Sequence, residues 1–403
     1  MFYRVEIENF FSIRHRQVLD LRVPASVPQG TNRLVPCGLG SDERAPKVVV
    51  VFGSNGSGKS TLLRALSFVC WFIHGSFALP QGVRLPHQPF NSRVSAAAPT
   101  RIAIQFSGPD LSDAGGQQTQ GECPYRYEVV LGNWEDAQVL RETIVYWPRA
   151  TGRKTRLVER HGNGKTKAGR AFGIAGYMSP LEKILRSNAS IISTLAELRH
   201  PLALMIRDAA RAVNTTVSLD GAEIGPSDVT RAYVEHPELI GALNRVIAAV
   251  GVGVRSVELQ DTGAGPQLAF RHEGLRQPVS CAFEGRGALR LARLFPLIHD
   301  TLRNGNVAFI DGLDFSMHPK MLAYIVDWFR DPRRNPRLVQ LWMTCHNATL
   351  LEALSKDEIV LCDRNLFGES SIFGLNDMKS VRRDDNYYKK YLAGVYGGIP
   401  RVG

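Results

Sequence analysis

The chain has 403 residues, more than a single hydrophobic core usually organises, and 44% of them are hydrophobic, so a sizeable core in two lobes, or a domain with an insertion, is expected. No apolar stretch approaches the length of a membrane span and the opening MFYRVEIENF alternates like a strand, which sets aside a membrane protein and a signal peptide and leads to the expectation of a cytoplasmic protein. The balance of 49 basic against 38 acidic residues, a formal charge of +11, favours nucleic acid or another polyanion as partner.

In chain order, FYRVEIENF and RQVLDLRV are two alternating runs at hairpin distance, followed by a Pro- and Gly-rich loop over residues 24–46. The apolar run VVVVF then leads directly into GSNGSGKST. The spacing of Gly53, Gly58, Lys59 and Ser60 is that of a P-loop, in which small residues let backbone N–H groups converge on phosphates at the start of a helix. Gly53, Ser54, Asn55, Gly56, Ser57, Gly58, Lys59, Ser60 and Thr61 would cradle ATP. Lys59 would reach the β and γ phosphates and Ser60 the Mg²⁺. TLLRALSFVCWF continues at helical spacing, as the motif requires.

After an irregular stretch over residues 75–100, the runs RIAIQF, YRYEVVL, ETIVYW and KTRLVER predict an antiparallel lobe. HGNGKTKAGR carries half of a second P-loop, but Glu159 stands where its leading glycine should be, so it reads as a basic hairpin turn. Residues 179–250 have helical spacing without a sustained heptad, which predicts a helical insert and no long coiled coil. VRSVELQ and PQLAFRHE then predict a hairpin, and the chain returns to alternating helices and strands. The resulting division is 1–178 and 254–403 as two halves of one ATPase head, with 179–253 inserted.

Two further constellations fall in the last third. NVAFIDGLDFSMHP ends a strand on Asp311, a carboxylate at the sheet edge where a P-loop protein needs a Mg²⁺ partner. Asp314, Ser316 and His318 follow, and Ser316 also suits a helix N-cap. In MTCHNATLLEAL, His346 lies just beyond an apolar strand, within reach of a γ-phosphate. Six scattered cysteines without a Cys-x-x-Cys pair argue against a disulfide or zinc framework. Basic residues cluster in RHR, RDPRRNPR and VRRDDNYYKKY, where Arg383, Lys389 and Lys390 are candidates for a polyanion contact.

Taken together, the opening strand pair, GSNGSGKST, the helical insert, IDGLDFSMHP, TCHN and the tail YYKKYLAGVYGGIPRV resemble the ABC-type ATPases of the RecF, SMC and OLD group, in particular the stand-alone AAA ATPases of bacterial anti-phage and abortive infection systems. The fold class this implies is α/β, a P-loop NTPase of ABC-ATPase type with an antiparallel β lobe and a helical insert. It further implies a head-to-tail dimer, with itself or with a related ATPase, that sandwiches ATP and Mg²⁺ and works with an effector such as a Toprim-type nuclease. A RecF-like DNA-binding ATPase in DNA repair is the alternative.

The chain departs from that pattern twice. Gly312 stands where the family has a glutamate that orients water, and Glu284, Gly285, Arg286, Gly287 and Ala288 replace a signature loop bearing serine and threonine. Arg286 is a substitute ligand for the γ-phosphate. Binding without brisk hydrolysis is the expectation, with Glu284, Asp314 or a partner residue as relocated carboxylates, and Gly312→Glu is expected to raise turnover about tenfold.

Overall fold

A computed structural model describes the chain except for residues 29–31, 39–40, 112–120, 134–137, 163, 220–225, 252, 264, 306 and 400–403. The last three residues of the tail motif, residues 29–31 and 39–40 of the 24–46 loop, one position of the basic hairpin turn and residues 220–225 of the helical stretch therefore lie outside the described residues. The first half runs β1 (Phe2–Glu8), β2 (Gln17–Asp20), β3 (Leu34–Pro36), β4 (Arg44–Pro46), β5 (Val48–Phe52), α1 (Lys59–Gly75), α2 (Arg93–Ala97), β6 (Thr100–Pro109), β7 (Glu122–Leu131), β8 (Val139–Tyr146), β9 (Thr155–His161) and β10 (Thr166–Ala168). The second runs α3 (Met178–Ile184), α4 (Ile191–Glu197), α5 (Pro201–Arg211), β11 (Asn214–Thr215), α6 (Pro226–Glu235), α7 (Glu238–Val250), β12 (Ser256–Thr262), β13 (Gly265–Arg271), β14 (Val279–Ser280), α8 (Arg286–Asn304), β15 (Val307–Ile310), α9 (Pro319–Arg330), β16 (Gln340–Thr344), β17 (Ile359–Arg364), β18 (Ser370–Gly374) and α10 (Tyr387–Leu392).

The run VVVVF has no polar position because β5 is buried on both faces. Val49 and Val51 point into one core with α1, while Val48, Val50 and Phe52 point into the other with α8 and α9. The sheet around it has the order β11-β15-β16-β5-β17-β18, parallel except for β18. One strand, β16, separates the P-loop strand from the strand that ends before Asp311.

The second sheet is antiparallel, with the order β10-β9-β8-β7-β6-β1-β2. Its inner face buries Val5, Ile7, Ile102, Ile104, Tyr127, Val129 and Ile144. The opening hairpin belongs to this lobe, since β1 pairs with β6 as well as β2. Local alternation foretold two strands but carried no information on their distant neighbour. Gln340 on β16 ties the two sheets together: its Oε1 accepts from Phe2 N–H (2.9 Å), and its Nε2 donates to the carbonyls of Phe2 (3.0 Å) and Pro46 (2.9 Å).

The stretch read as helical contains a strand. β11 pairs in parallel with β15, placing Thr216 beside the end of that strand. α4 and α5 pack on α1, and α6 and α7 on α8. α1 and the turn after it are long and apolar enough to cross a membrane, contrary to the sequence expectation, but 67% of that stretch is buried inside the protein, as a core helix would be.

Candidate nucleotide-binding site

β5, β15, β16 and β17 run in one direction, so the loops at their carboxyl ends meet on one edge of the sheet. The loop after β5 turns through positive φ at Gly56 (+75°) and Gly58 (+107°). A Cβ on Gly53 would lie 2.4 Å from the Cys362 carbonyl oxygen, and one on Gly58 would lie 2.3 Å from Ser370 Oγ. Glycine is required at both places because β17 and β18 press against the loop. Gly58 precedes α1, whose first N–H groups lack intrahelical partners and make an anion site.

Lys59 is buried, and its Nζ donates to the carbonyls of Gly53 (2.9 Å) and Ser54 (2.8 Å). Burial pushes its pKa down, opposed by neighbours that include Asp311 and Asp314. The Asp311 N–H donates to Thr216 Oγ1 (2.9 Å), and Asp311 Oδ1 accepts from Thr344 Oγ1 (2.6 Å). Thr344 Oγ1 also accepts the Gly312 N–H (2.7 Å), and Arg290 Nη2 donates to the carbonyls of Asp311 (3.1 Å) and Gly312 (3.0 Å). Thr344 thus holds the carboxylate, while Thr216 and Arg290 hold the backbone that carries it. None of Thr216, Arg290 and Thr344 stood out in the sequence as a partner of Asp311. For Thr344 the signal was present, a hydroxyl ending the strand before Cys345 and His346.

His346 is placed by Asp314, whose Oδ2 accepts the N–H groups of His346 (2.7 Å) and Asn347 (2.9 Å). Its ring stacks on Phe315, with centroids 5.5 Å apart and planes at 19°. Burial lowers the imidazole pKa and the Lys59 charge acts in the same direction, so the ring is neutral at pH 7. Ser316 is not the N-cap of α9. That role falls to His318, whose Nδ1 accepts from Lys320 N–H, while Ser316 adopts φ +62°.

Gly312 lies at φ +62°, and a Cβ there would come within 2.1 Å of Phe315 Cε2. For the expected gain from Gly312→Glu the Phe315 ring, which is half-exposed, must first move aside, because it occupies the volume in which that side chain would start. Glu284 is likewise committed, accepting from His272 Nε2 (2.7 Å) and from Gly285 N–H (2.7 Å). It lines a separate cleft of ≈510 Å³ with Gly285, Gly287, Ser316 and His318. Arg286 is exposed on the first turn of α8 and does not line the P-loop cleft of its own chain.

That P-loop cleft, ≈810 Å³, brings Asn55, Gly56, Ser57, Gly58, Lys59, Ser60 and Thr61 together with His346 and Phe315. Phe11, Phe90, Arg364 and Phe367 complete its walls. Ser12, in the turn after β1, bonds through Oγ to Thr61 Oγ1 (3.0 Å) and accepts from Ser370 Oγ (2.8 Å). Arg364 Nη1 donates to the Gly56 carbonyl (3.1 Å). Nothing in the local sequence around Ser12 or Arg364 points to the P-loop.

The residues present fit a nucleoside triphosphate. The cradle is one that a Cβ would fill, Ser57 Oγ is buried there without a hydrogen-bond partner among the described residues, and a lysine stands at its floor. A serine hydroxyl and an aspartate oxygen are hard donors of the kind Mg²⁺ prefers, and Ser60 lines this cleft while Asp311 does not.

Residues 4–78 match a family model described as "AAA domain", and residues 48–136 match one described as "AAA domain, putative AbiEii toxin, Type IV TA system". No curated protein matches the sequence. Among solved structures, the chain is similar to an SmcHead bound to the C-winged helix domain of ScpA (14% identity, 92% of this chain and 96% of that one, TM-score 0.44). It is also similar to the SMC head domain from Thermotoga maritima (14%, 93% and 98%, TM-score 0.40). A third is the Smc head domain with an extended coiled coil bound to the C-terminal domain of ScpA from Pyrococcus furiosus (15%, 98% and 100%, TM-score 0.43). With its strand, glycine cradle and helix in the order a P-loop requires, the chain has a mixed α/β fold of P-loop NTPase type, and its residues 4–136 are similar to AAA domains.

Proposed function

We propose that this protein is an ABC-type, ATP-binding switch that dimerises around nucleotide and acts in anti-phage defence by holding or releasing an effector partner, with a Toprim-type nuclease as the candidate effector. The observation that carries the reading is the single cleft in which the P-loop meets His346 and Phe315. Lys59 is the residue that would neutralise the β and γ phosphates. Ser60 and Asp311 would hold Mg²⁺, which when bound supplies charge neutralisation at the phosphates. His346, neutral and fixed through Asp314, would hydrogen-bond to the γ-phosphate. The exposed Arg286 would face the γ-phosphate of the partner protomer.

Phe315 stands against Gly312 where a water-orienting carboxylate belongs, and such a group is worth roughly 10²–10⁴ in rate, so slow turnover is expected. Calorimetric titration of ATP with Mg²⁺ into the wild type and Lys59→Ala tests the nucleotide site, with binding expected only in the former. Equal affinities would end this reading. Mass analysis of the natively purified complex tests for the effector.

A further inference from the structure

The basic runs visible in the sequence are partly neutralised in the fold, where Arg334 and Arg337 meet a tyrosine hydroxyl and a backbone carbonyl and other members meet carboxylates. Arg14 pairs with Glu369 at 2.7 Å, Arg330 with Glu358 and Asp327, Arg383 through both terminal nitrogens with Asp357, and Lys390 with Asp385. Two of the three tail cations expected to meet a polyanion are thus matched by carboxylates.

The charge excess appears where the fold collects single cations from separate strands. On the outer face of the antiparallel sheet, residues directly opposite one another share a side. Arg126 on β7 lies opposite Gln105, and Glu128 lies opposite Thr143. Glu6 accepts from Arg4, Arg16 and Arg126, while Glu128 accepts from Arg101, Arg126 and Arg141. Two nearly buried carboxylates therefore organise five guanidiniums.

Around them is an open cleft of ≈580 Å³ in which, among the described residues, Arg16, Arg101, Arg126, Arg141, Lys154 and Arg156 face the three carboxylates of Glu6, Glu128 and Glu159. At its margins Glu8, opposite Arg101, and Lys167, opposite Glu159, offset one another. A ladder of cross-strand ion pairs that served stability alone would balance its charges. This face retains three cations in excess, and each guanidinium carries five donors of which the carboxylates take one to three.

We propose that the outer face of the antiparallel sheet binds the phosphodiester backbone of a nucleic acid duplex, by charge and without reading base sequence. Glu6 and Glu128 are positioning residues that hold the guanidiniums in a fixed array. Arg141, Lys154 and Arg156, at the exposed end of the cleft, are the principal phosphate ligands. Contacts of this kind set register and affinity and carry no sequence information.

The test is fluorescence anisotropy of the full chain with a labelled DNA duplex and an RNA duplex of the same sequence. With three phosphates neutralised, affinity for the DNA duplex should fall about 40-fold between about 50 and about 200 mM salt. The triple variant Arg141→Gln, Lys154→Gln, Arg156→Gln should bind about tenfold or more weakly at the lower salt and show a flatter salt dependence. Thr143→Glu, which adds a negative charge to the centre of the face without removing an ion pair, should weaken binding likewise. Lys59→Ala and Lys389→Ala should bind as the wild type does, which separates this site from the nucleotide site and from the tail. If the triple variant and Thr143→Glu, both with wild-type melting temperatures, retain full affinity, or if the wild type binds neither duplex, the proposal is overturned.

Discussion

At residue scale, the position most altered by the structure is Gly312. Its φ of +62° disfavours any L side chain by about 1–2 kcal/mol, and the Phe315 ring blocks the direction a Cβ would take. Gly312→Glu alone is therefore expected to leave ATP turnover at or below the wild-type rate. The double variant Gly312→Glu, Phe315→Ala, which clears the ring, should raise turnover about tenfold or more, measured as phosphate release under saturating ATP and Mg²⁺. Brisk hydrolysis by the wild type would point instead to a carboxylate acting from Asp314 or from a partner chain. Asp314 is the nearer candidate in the chain, although one of its oxygens already holds the His346 backbone.

At the scale of elements, two seams are exposed to test. Gln340 satisfies backbone groups of β1 and of Pro46 at the end of β4, and Gln340→Leu would leave them buried without that partner. The loss is expected to be about 1–3 kcal/mol, read as a lower denaturant midpoint with an unchanged slope. The arginine lattice supplies a pH signature. Burial pushes the carboxyls of Glu6 and Glu128 up, but their guanidinium partners outweigh it and hold both at about 2, below the 4.5 of an unperturbed glutamate. These groups therefore stabilise the fold at neutral pH, and the contribution is lost as pH falls from about 4.5 towards 2. Denaturant midpoints measured across that window should drop steeply for the wild type and less steeply for Glu6→Gln, Glu128→Gln.

At the scale of the whole molecule, a surface that places the P-loop cleft and the Glu284–Arg286 loop apart on one chain makes dimerisation the step that would bring them together. Light scattering is expected to show a monomer without nucleotide and a dimer with ATP and Mg²⁺, and no dimer for Lys59→Ala. Exposed Phe283, beside that loop, and Phe367, beside the P-loop cleft, are apolar surfaces such a contact would cover. A persistent monomer with ATP bound would remove the dimeric switch and leave the nucleotide site standing.

How much of this was legible beforehand follows from the range of the interactions involved. The P-loop, the alternation of the β lobe and the strand ending at Asp311 were readable because each is set by spacing over a few residues: backbone turns, pleat and helix periodicity. The apolar run VVVVF was readable for the same reason, having no polar residue to turn to water. Sequence alone did not reveal that Ser12 and Ser370 close on the P-loop, that Thr216 and Arg290 brace Asp311, or that Phe315 fills the space beside Gly312. Those depend on which strands become neighbours, decided by burial of whole faces over long separations. The charge shows the same division: composition alone determined the excess of cations, and only the order of strands in the antiparallel sheet decided that arginines from β6, β7, β8 and β9 would meet Arg16, a member of one of the basic runs, on a single face.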